Sequence, residues 1–416
     1  MKRKLGQIET AMSVMHSAAD GTTMGAKIIL LTGEMTFGAL KKGAECVFDK
    51  YAGLRCSIQR EDEMLHFVEH AEFDRVALRQ VHAANDQEWE SLEFDEVHAA
   101  LDSSTALWRV TLLTSQNAKQ HKIIFVCHHA IIDAAGANQI IEDLLNFADK
   151  HIDGAPILFV PVGMPPAVDD FLLTNGSSPA AEGVSCESIP YSAYVAIEDR
   201  RTHFLFSKLS AENFALLKSK CEKSRISVNS IFTAALSMAA CSTAMATSPV
   251  AFKTAVSLRE YATSRGASED ALGCYLAVAD TALDIHGNAL QSIALEYQKK
   301  LMSYTLKNCF KKRDFSLDGI VNAVGNAKQS HSFNGFGITN LGKVDLTGSH
   351  KHFSLQGNYS LTNRLAGNYA FALQVSEFRD QVEFIYAYVQ PLLDREAMER
   401  LSDAFNGHLA DYYLTQ

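Results

Sequence analysis

The chain has 416 residues, 47% of them hydrophobic and 21% charged. That is too long for one core of typical size and long enough for two, so two domains or two halves of one body are expected. A formal charge of -10 and a pI near 5.8 exclude a nucleic-acid surface, which needs clustered positive charge. No apolar run follows the basic start "MKRK", and no run of apolar residues is long enough to span a membrane, so no span and a cytoplasmic location are expected.

The first elements alternate between strand and helix patterns. "AKIILLTG" is a short apolar run ended by glycine, and "TFGALKKGAECVFDKYAG" sets Phe37, Leu40, Ala44, Val47, Phe48 and Tyr51 at helical spacing. "LRCSIQREDEMLHFVEH" reads as a hairpin turning at its charged centre. After a polar helical region come "LWRVTLL" and "HKIIFVCHH", both rich in strand formers. The second is apolar on both faces before its histidines, as an interior strand of a covered sheet should be. "ANQIIEDLLNFADK" then spaces Ile140, Ile141, Leu144, Leu145 and Ala148 along one helix face.

Proline divides the chain. Pro156, Pro161, Pro165, Pro166, Pro179 and Pro190 fall in one stretch that also holds "TNGSSPAAEG", and none precedes it. Such residues extend neither a helix nor a central strand, so 156–195 reads as a surface linker between a half at 1–155 and a half at 196–416. In the second half, "AENFALLKSKCEKSRISVNSIFTAALSMAACSTAMA" predicts two helices parted near "RISVN", and "VAFKTAVSLRE" a strand. A helix over "ALEYQKKLMSYTLKN" follows, then strands at "FGITNLG", "YAFALQVSEF" and "QVEFIYAYV" and a final amphipathic helix.

The eight cysteines show no CxxC spacing and read as reduced thiols. No metal is expected, because adjacent His128 and His129 cannot both turn inward from one strand. Alternation instead puts His129 on the side of Ile123, Phe125 and Cys127, with His128 opposite. An imidazole at a strand end is suited to take a proton from an alcohol, amine or thiol attacking a carbonyl. The plainer reading makes both histidines satisfied polar groups and Asp133 a helix cap. Yet HHxxxD should arise by chance only about 0.03 times in a chain of this length.

"HHAIIDA" resembles the HHxxxDG motif of the acyltransferase superfamily that includes chloramphenicol acetyltransferase, plant BAHD enzymes, mycobacterial polyketide-associated acyltransferases and nonribosomal condensation domains. "GEMTFGALKKGAECVFDKYAGLR" is similar to the family's first helix, ending in Leu54 and Arg55. "LWRVTLL", "SVNSIFTAALSMA", "AVSLRE" with "LGCYLA", and "ITNLGKVD" resemble later landmarks in family order, from about residue 30 to 400. One departure is Ala134 at the motif's glycine, a position where alanine resists a strained backbone at a cost of about 1 kcal/mol.

The resemblance implies an α/β fold of mixed α+β sheets, two chloramphenicol-acetyltransferase-like halves in a V with an active-site tunnel between them. It implies a free-standing acyltransferase of secondary metabolism, moving an acyl group from a coenzyme A or carrier-protein phosphopantetheine thioester to a small alcohol or amine. A catalytically silent docking protein is the alternative, left open by Ala134. No tightly bound cofactor is implied, and a monomer is expected. His129 would be the general base with His128 in support, and Asp133 would pair with Arg259 to organise the loop. Asn340, otherwise a turn residue, and Ser257 are the oxyanion or substrate candidates. Lys299, Lys300, Lys307, Lys311, Lys312 and Arg313 form a basic cluster, of which Lys311, Lys312 and Arg313 are the donor-phosphate candidates, unless they are a solvated face.

Overall fold

The computed structural model describes residues 1–116, 119–173, 186–312, 316–346, 348–366 and 371–415. "TNGSSPAAEG" and Pro179 lie outside them, as does Arg313. The chain opens with β1 (Lys2–Lys4) and α1 (Gln7–Ala18), the helix started by Glu9 reaching back to the Gly6 amide. β2 (Gly25–Gly33) leads to α2 (Phe37–Lys50), where the Thr36 hydroxyl accepts the Ala39 amide. β3 (Cys56–Glu61) and β4 (Met64–Glu69) form the expected hairpin, which β1 extends. β5 (Ala77–His82) and α3 (Asp86–His98) precede β6 (Trp108–Thr114) and β7 (Gln120–Cys127), and α4 (Ala134–Ile152) follows the histidines.

The described part of the proline-rich stretch runs over the first half, where Ile157, Phe159, Val162 and Met164 pack on its core. After it come β8 (Ile189–Pro190), β9 (Arg201–Leu209), α5 (Ala211–Ser224) and α6 (Val228–Ser242), the two helices parted at Arg225 by a left-handed residue. β10 (Val250–Ser257), α7 (Arg259–Thr263), β11 (Leu276–Leu283), α8 (Leu290–Tyr304) and α9 (Leu317–Gln329) continue. The last elements are β12 (Ser332–Phe333), β13 (Phe336–Lys343), β14 (Phe353–Thr362), β15 (Phe371–Phe378), β16 (Gln381–Gln390) and α10 (Arg395–Leu414).

Two mixed sheets result, in the orders β14-β2-β7-β6-β5 and β11-β10-β13-β15-β16-β9. In the first, α2 and α4 cover one face with Leu40, Ala44, Ile140 and Leu144, and Val97 of α3 packs on the other. That double cover is why β6 and β7 are buried almost end to end and read as continuous apolar runs. The second sheet packs Phe371, Leu373 and Phe384 against Phe232 and Leu236 of α6 and Phe405 of α10.

One strand departs from the expected halves. β14 lies within 196–416 yet pairs antiparallel with β2 along its length, at the edge of the first sheet. Its Leu361 joins Ile28, Ile124 and Val126 of the first sheet and Ile385 of the second in one buried cluster. Leu361 is thus buried in the seam, while Phe353 and Leu355 of the same strand pack in the first half's core, so β14 binds the halves together.

Candidate functional site

β7 ends at Cys127, one residue before the paired histidines. Strand alternation therefore stops short of them, and the expected assignment of His129 to the Cys127 face by that rule does not apply. The two side chains are nonetheless separated. His128 is fully buried, its Nδ1 accepting the Ala130 amide at 3.1 Å. That contact leaves the proton on Nε2, which is buried without a partner. Its ring lies 4.4 Å from that of His16 in α1, whose Nε2 donates to the Leu101 carbonyl at 2.9 Å. Burial and the neighbouring imidazoles hold His128 well below the ordinary histidine pKa.

His129 sits in the turn and is partly accessible. Its Nδ1 lies 3.7 Å from the Cys274 thiol of the second half. Burial pushes its pKa down, while its own backbone, the Asp133 carboxylate and the Ile132 backbone oppose the shift. The ring is accordingly neutral at pH 7, as a base must be before it acts. Burial and the nearby Asp133 and Glu9 carboxylates push the Cys274 thiol well up, so it is un-ionised. Cys274 carried no sequence signal: it is one of eight scattered cysteines, and only the fold sets it beside the motif.

The aspartate ties the loop across the seam. Asp133 caps α4 through the Gly136 amide at 3.0 Å, as the plainer reading expects. The same carboxylate accepts Arg259 Nε at 2.9 and 3.0 Å and Nη2 at 2.7 Å, as the resemblance implies, and the Tyr275 amide at 3.3 Å. Both roles are filled at once, because a carboxylate has lone pairs for each. Arg259 also donates to the carbonyls of Ala271 at 2.9 Å and Gly273 at 3.4 Å. The Gly273 carbonyl accepts the Asp133 amide at 3.0 Å. The strap 271–275 thus lies against the histidine turn, held by backbone and guanidinium together.

Glycine is needed here at two places other than Ala134. A side chain on Gly136 would come within 2.9 Å of Arg259 Nη2 and 3.0 Å of Ile132. Gly273 has φ +132, and a side chain on it would come within 3.2 Å of the Tyr275 ring. Ala134 opens α4 with a right-handed backbone, so alanine there meets no conformational obstacle. A cleft of about 520 Å³, bounded by Arg259, Glu260, Thr263, Ala267 and Tyr275, opens beside the ion pair.

The remaining candidates have contacts of their own. Asn340 is exposed near the end of β13, and its side chain accepts the Gly342 amide at 2.9 Å, the turn role. Ser257 is exposed, and its hydroxyl accepts the Arg259 amide at 3.4 Å. Three members of the basic cluster make contacts with other segments or neighbours. Lys300 pairs with Glu296 at 2.5 Å, and Lys312 lies close enough to Asp169 to perturb it. Lys311 bridges by its backbone to Leu173. Lys300 and Lys312 thus each have an acidic neighbour.

No family model and no curated protein matches the sequence. Solved structures do match. Polyketide synthase associated protein 5 from Mycobacterium tuberculosis is 12% identical with a TM-score of 0.72, over 99% of this chain and 97% of its own. The chain has the chloramphenicol-acetyltransferase-like fold. Trichothecene 15-O-acetyltransferase from Fusarium sporotrichioides is 12% identical with a TM-score of 0.73, over 98% and 95% of the two chains. The epimerization domain of the third module of tyrocidine synthetase B is also 12% identical, TM-score 0.73, over 99% and 96%. One fold thus carries an acetyltransferase and an epimerization domain, and the reaction has to be argued from the site. Among the described residues no helix is long and apolar enough to cross a membrane.

Proposed function

We propose that the protein is an acyltransferase of secondary metabolism, moving an acyl group from a thioester to an alcohol or amine. The observation that carries this reading is His129: a neutral, partly accessible imidazole in a turn locked across the seam by Asp133 and Arg259. Its free nitrogen takes the acceptor's proton as the acceptor oxygen or nitrogen attacks the thioester carbonyl. The tetrahedral intermediate collapses by breaking the carbon–sulfur bond, and the imidazolium returns its proton to the departing thiolate. Asp133 takes no part in the proton transfer. Its carboxylate is committed to Arg259, Gly136 and Tyr275, so it positions the turn. The donor is coenzyme A or a carrier-protein phosphopantetheine, and no resident cofactor enters the reaction.

The test is incubation with a panel of acyl thioesters and small nucleophiles, following thiol release and product mass. Thiol release that depends on the nucleophile, yields an adduct of acyl group and nucleophile, and disappears in His129→Ala supports the reading. Thiol release without an adduct would make the protein a thioesterase instead.

A further inference from the structure

The seam holds a second polar cluster that the histidine chemistry does not use. Asn358, Ser360 and Thr362 alternate along β14 and so share one face of it. Lys27 lies opposite Ser360 in β2 and gives its Oγ a hydrogen bond at 2.7 Å. Its side chain is buried, and among the described residues no carboxylate pairs with it. An ammonium has three donors, and this contact uses one. Both amide atoms of Asn358, itself 1% exposed, lack a partner. From the second sheet, Gln374 donates to Thr362 at 2.7 Å, leaving its own Oε1 unpartnered. Glu383 is paired through one oxygen with Lys208 at 3.0 Å, and its other oxygen has no partner.

A buried ammonium and a buried amide with unmade bonds are costly in an empty interior, and a folded chain retains them where something polar completes them. The charges say what that is. Glu383 already has Lys208, so the group on this face left without a charged partner is the Lys27 amine. We propose that this seam is a subsite for a carboxylate, held by the Lys27 ammonium and the Asn358 amide N–H.

The subsite also constrains the substrate. Lys27 stands opposite Phe125 of β7, four residues before His129 in the chain. Resting on the acyltransferase reading, a substrate that spans from this subsite to His129 is a carboxylic acid.

Binding has a proton signature. Burial pushes Lys27 down to about 7, with Cys127 and Glu383 opposing. The groups around it are Cys127, whose thiol burial pushes up to about 12, and the Glu383–Lys208 pair. At about pH 8 the amine of the empty site is therefore mostly neutral, and a bound carboxylate draws a proton onto it.

The experiment is calorimetric titration of the full chain with hexanoate and with hexanamide, in two buffers of different ionisation enthalpy, needing neither acyl donor nor turnover. The expected result is that hexanoate binds about tenfold or more tightly than the amide, with uptake of close to one proton. Lys27→Met and Lys27→Gln should both abolish the preference and the uptake. Equal binding of acid and amide, binding without proton uptake, or no binding of either would overturn the proposal and leave Lys27 solvated by buried water. The wild-type comparison decides the matter even if neither variant folds. Failure here with nucleophile-dependent acyl transfer intact would sink the subsite alone.

Discussion

The two histidines of the motif differ by one position in sequence and by nearly everything in environment. His129→Ala should lower turnover by about 10² to 10⁴, the contribution of a positioned general base. His128→Ala should instead act through packing, losing on the order of 2 kcal/mol from a void beside His16, with the chemical step less affected. Comparing thermal stability with turnover of the folded fraction separates the two, and equal losses of turnover would show that the roles are misassigned. Because burial depresses His129, kcat should stay level from neutral pH upward and fall only below the ordinary imidazole value of about 6.5. An acid limb centred above that value would contradict the depression.

Asp133 and Arg259 lie 126 positions apart and meet in a bidentate contact, each partly shielded from solvent. Losing either partner should cost on the order of 2 kcal/mol, less than for a fully buried pair because some water reaches both. Asp133→Ser retains a helix cap and should still lose stability and turnover, since serine cannot hold the guanidinium. The double variant should cost less than the sum, as no lone charge remains. Strictly additive effects would show the contact to be energetically idle. Gly136→Ala should mimic part of the loss by displacing Arg259 Nη2 or Ile132.

At the scale of elements, legibility followed burial pattern. β6, β7 and α4 were readable because both faces of the strands and one face of the helix are buried, which writes period and composition directly into the sequence. α1 was not, since its buried set includes Glu9, Ser13 and His16, polar residues that satisfy tertiary partners and hide the apolar stripe. β14 was missed for a related reason: one face is the polar ladder Asn358, Ser360 and Thr362, and its sheet partner lies more than 300 positions away. The Asp133–Arg259 pair was legible only through resemblance, and Cys274 and Lys27 not at all. Pairing across such separations leaves no local signature.

β14 also yields a test of how the halves cooperate. Leu361 is 3% exposed and packs with residues of both sheets, so Leu361→Ala should cost about 2 to 5 kcal/mol. The loss should lower a single unfolding transition seen alike from both halves. Two separated transitions, with only one of them shifted, would mean that the strand belongs energetically to one half.

Several imidazoles of the molecule are buried or half-buried, and they set the sign of its pH dependence just below neutrality. His16, His98, His121, His128, His129, His203 and His350 are all pushed down, in each case chiefly by burial. Between about 6.5 and their depressed values the unfolded chain holds protons on these rings that the native chain refuses, so stability falls as pH falls. Lys27, pushed down to about 7, adds a slope of the same sign at higher pH, between its native value and the ordinary lysine value of about 10.4. Glu9, Glu142 and Asp169 are pushed up by burial and oppose the trend, since the native state binds their protons more readily. Their effect belongs to the carboxylate range, below the window in which the histidines act. His98 works against the trend, because its two ring nitrogens face the carbonyls of Phe94 at 2.7 Å and Thr202 at 2.8 Å, and a neutral imidazole can donate to only one of them, although burial still holds the ring down. The urea midpoint should therefore be lower at pH 5.5 than at pH 8, with unchanged cooperativity. A midpoint equal or higher at pH 5.5 would mean that the buried imidazoles keep their protons in the native state, and that the seam is wetter than this packing allows.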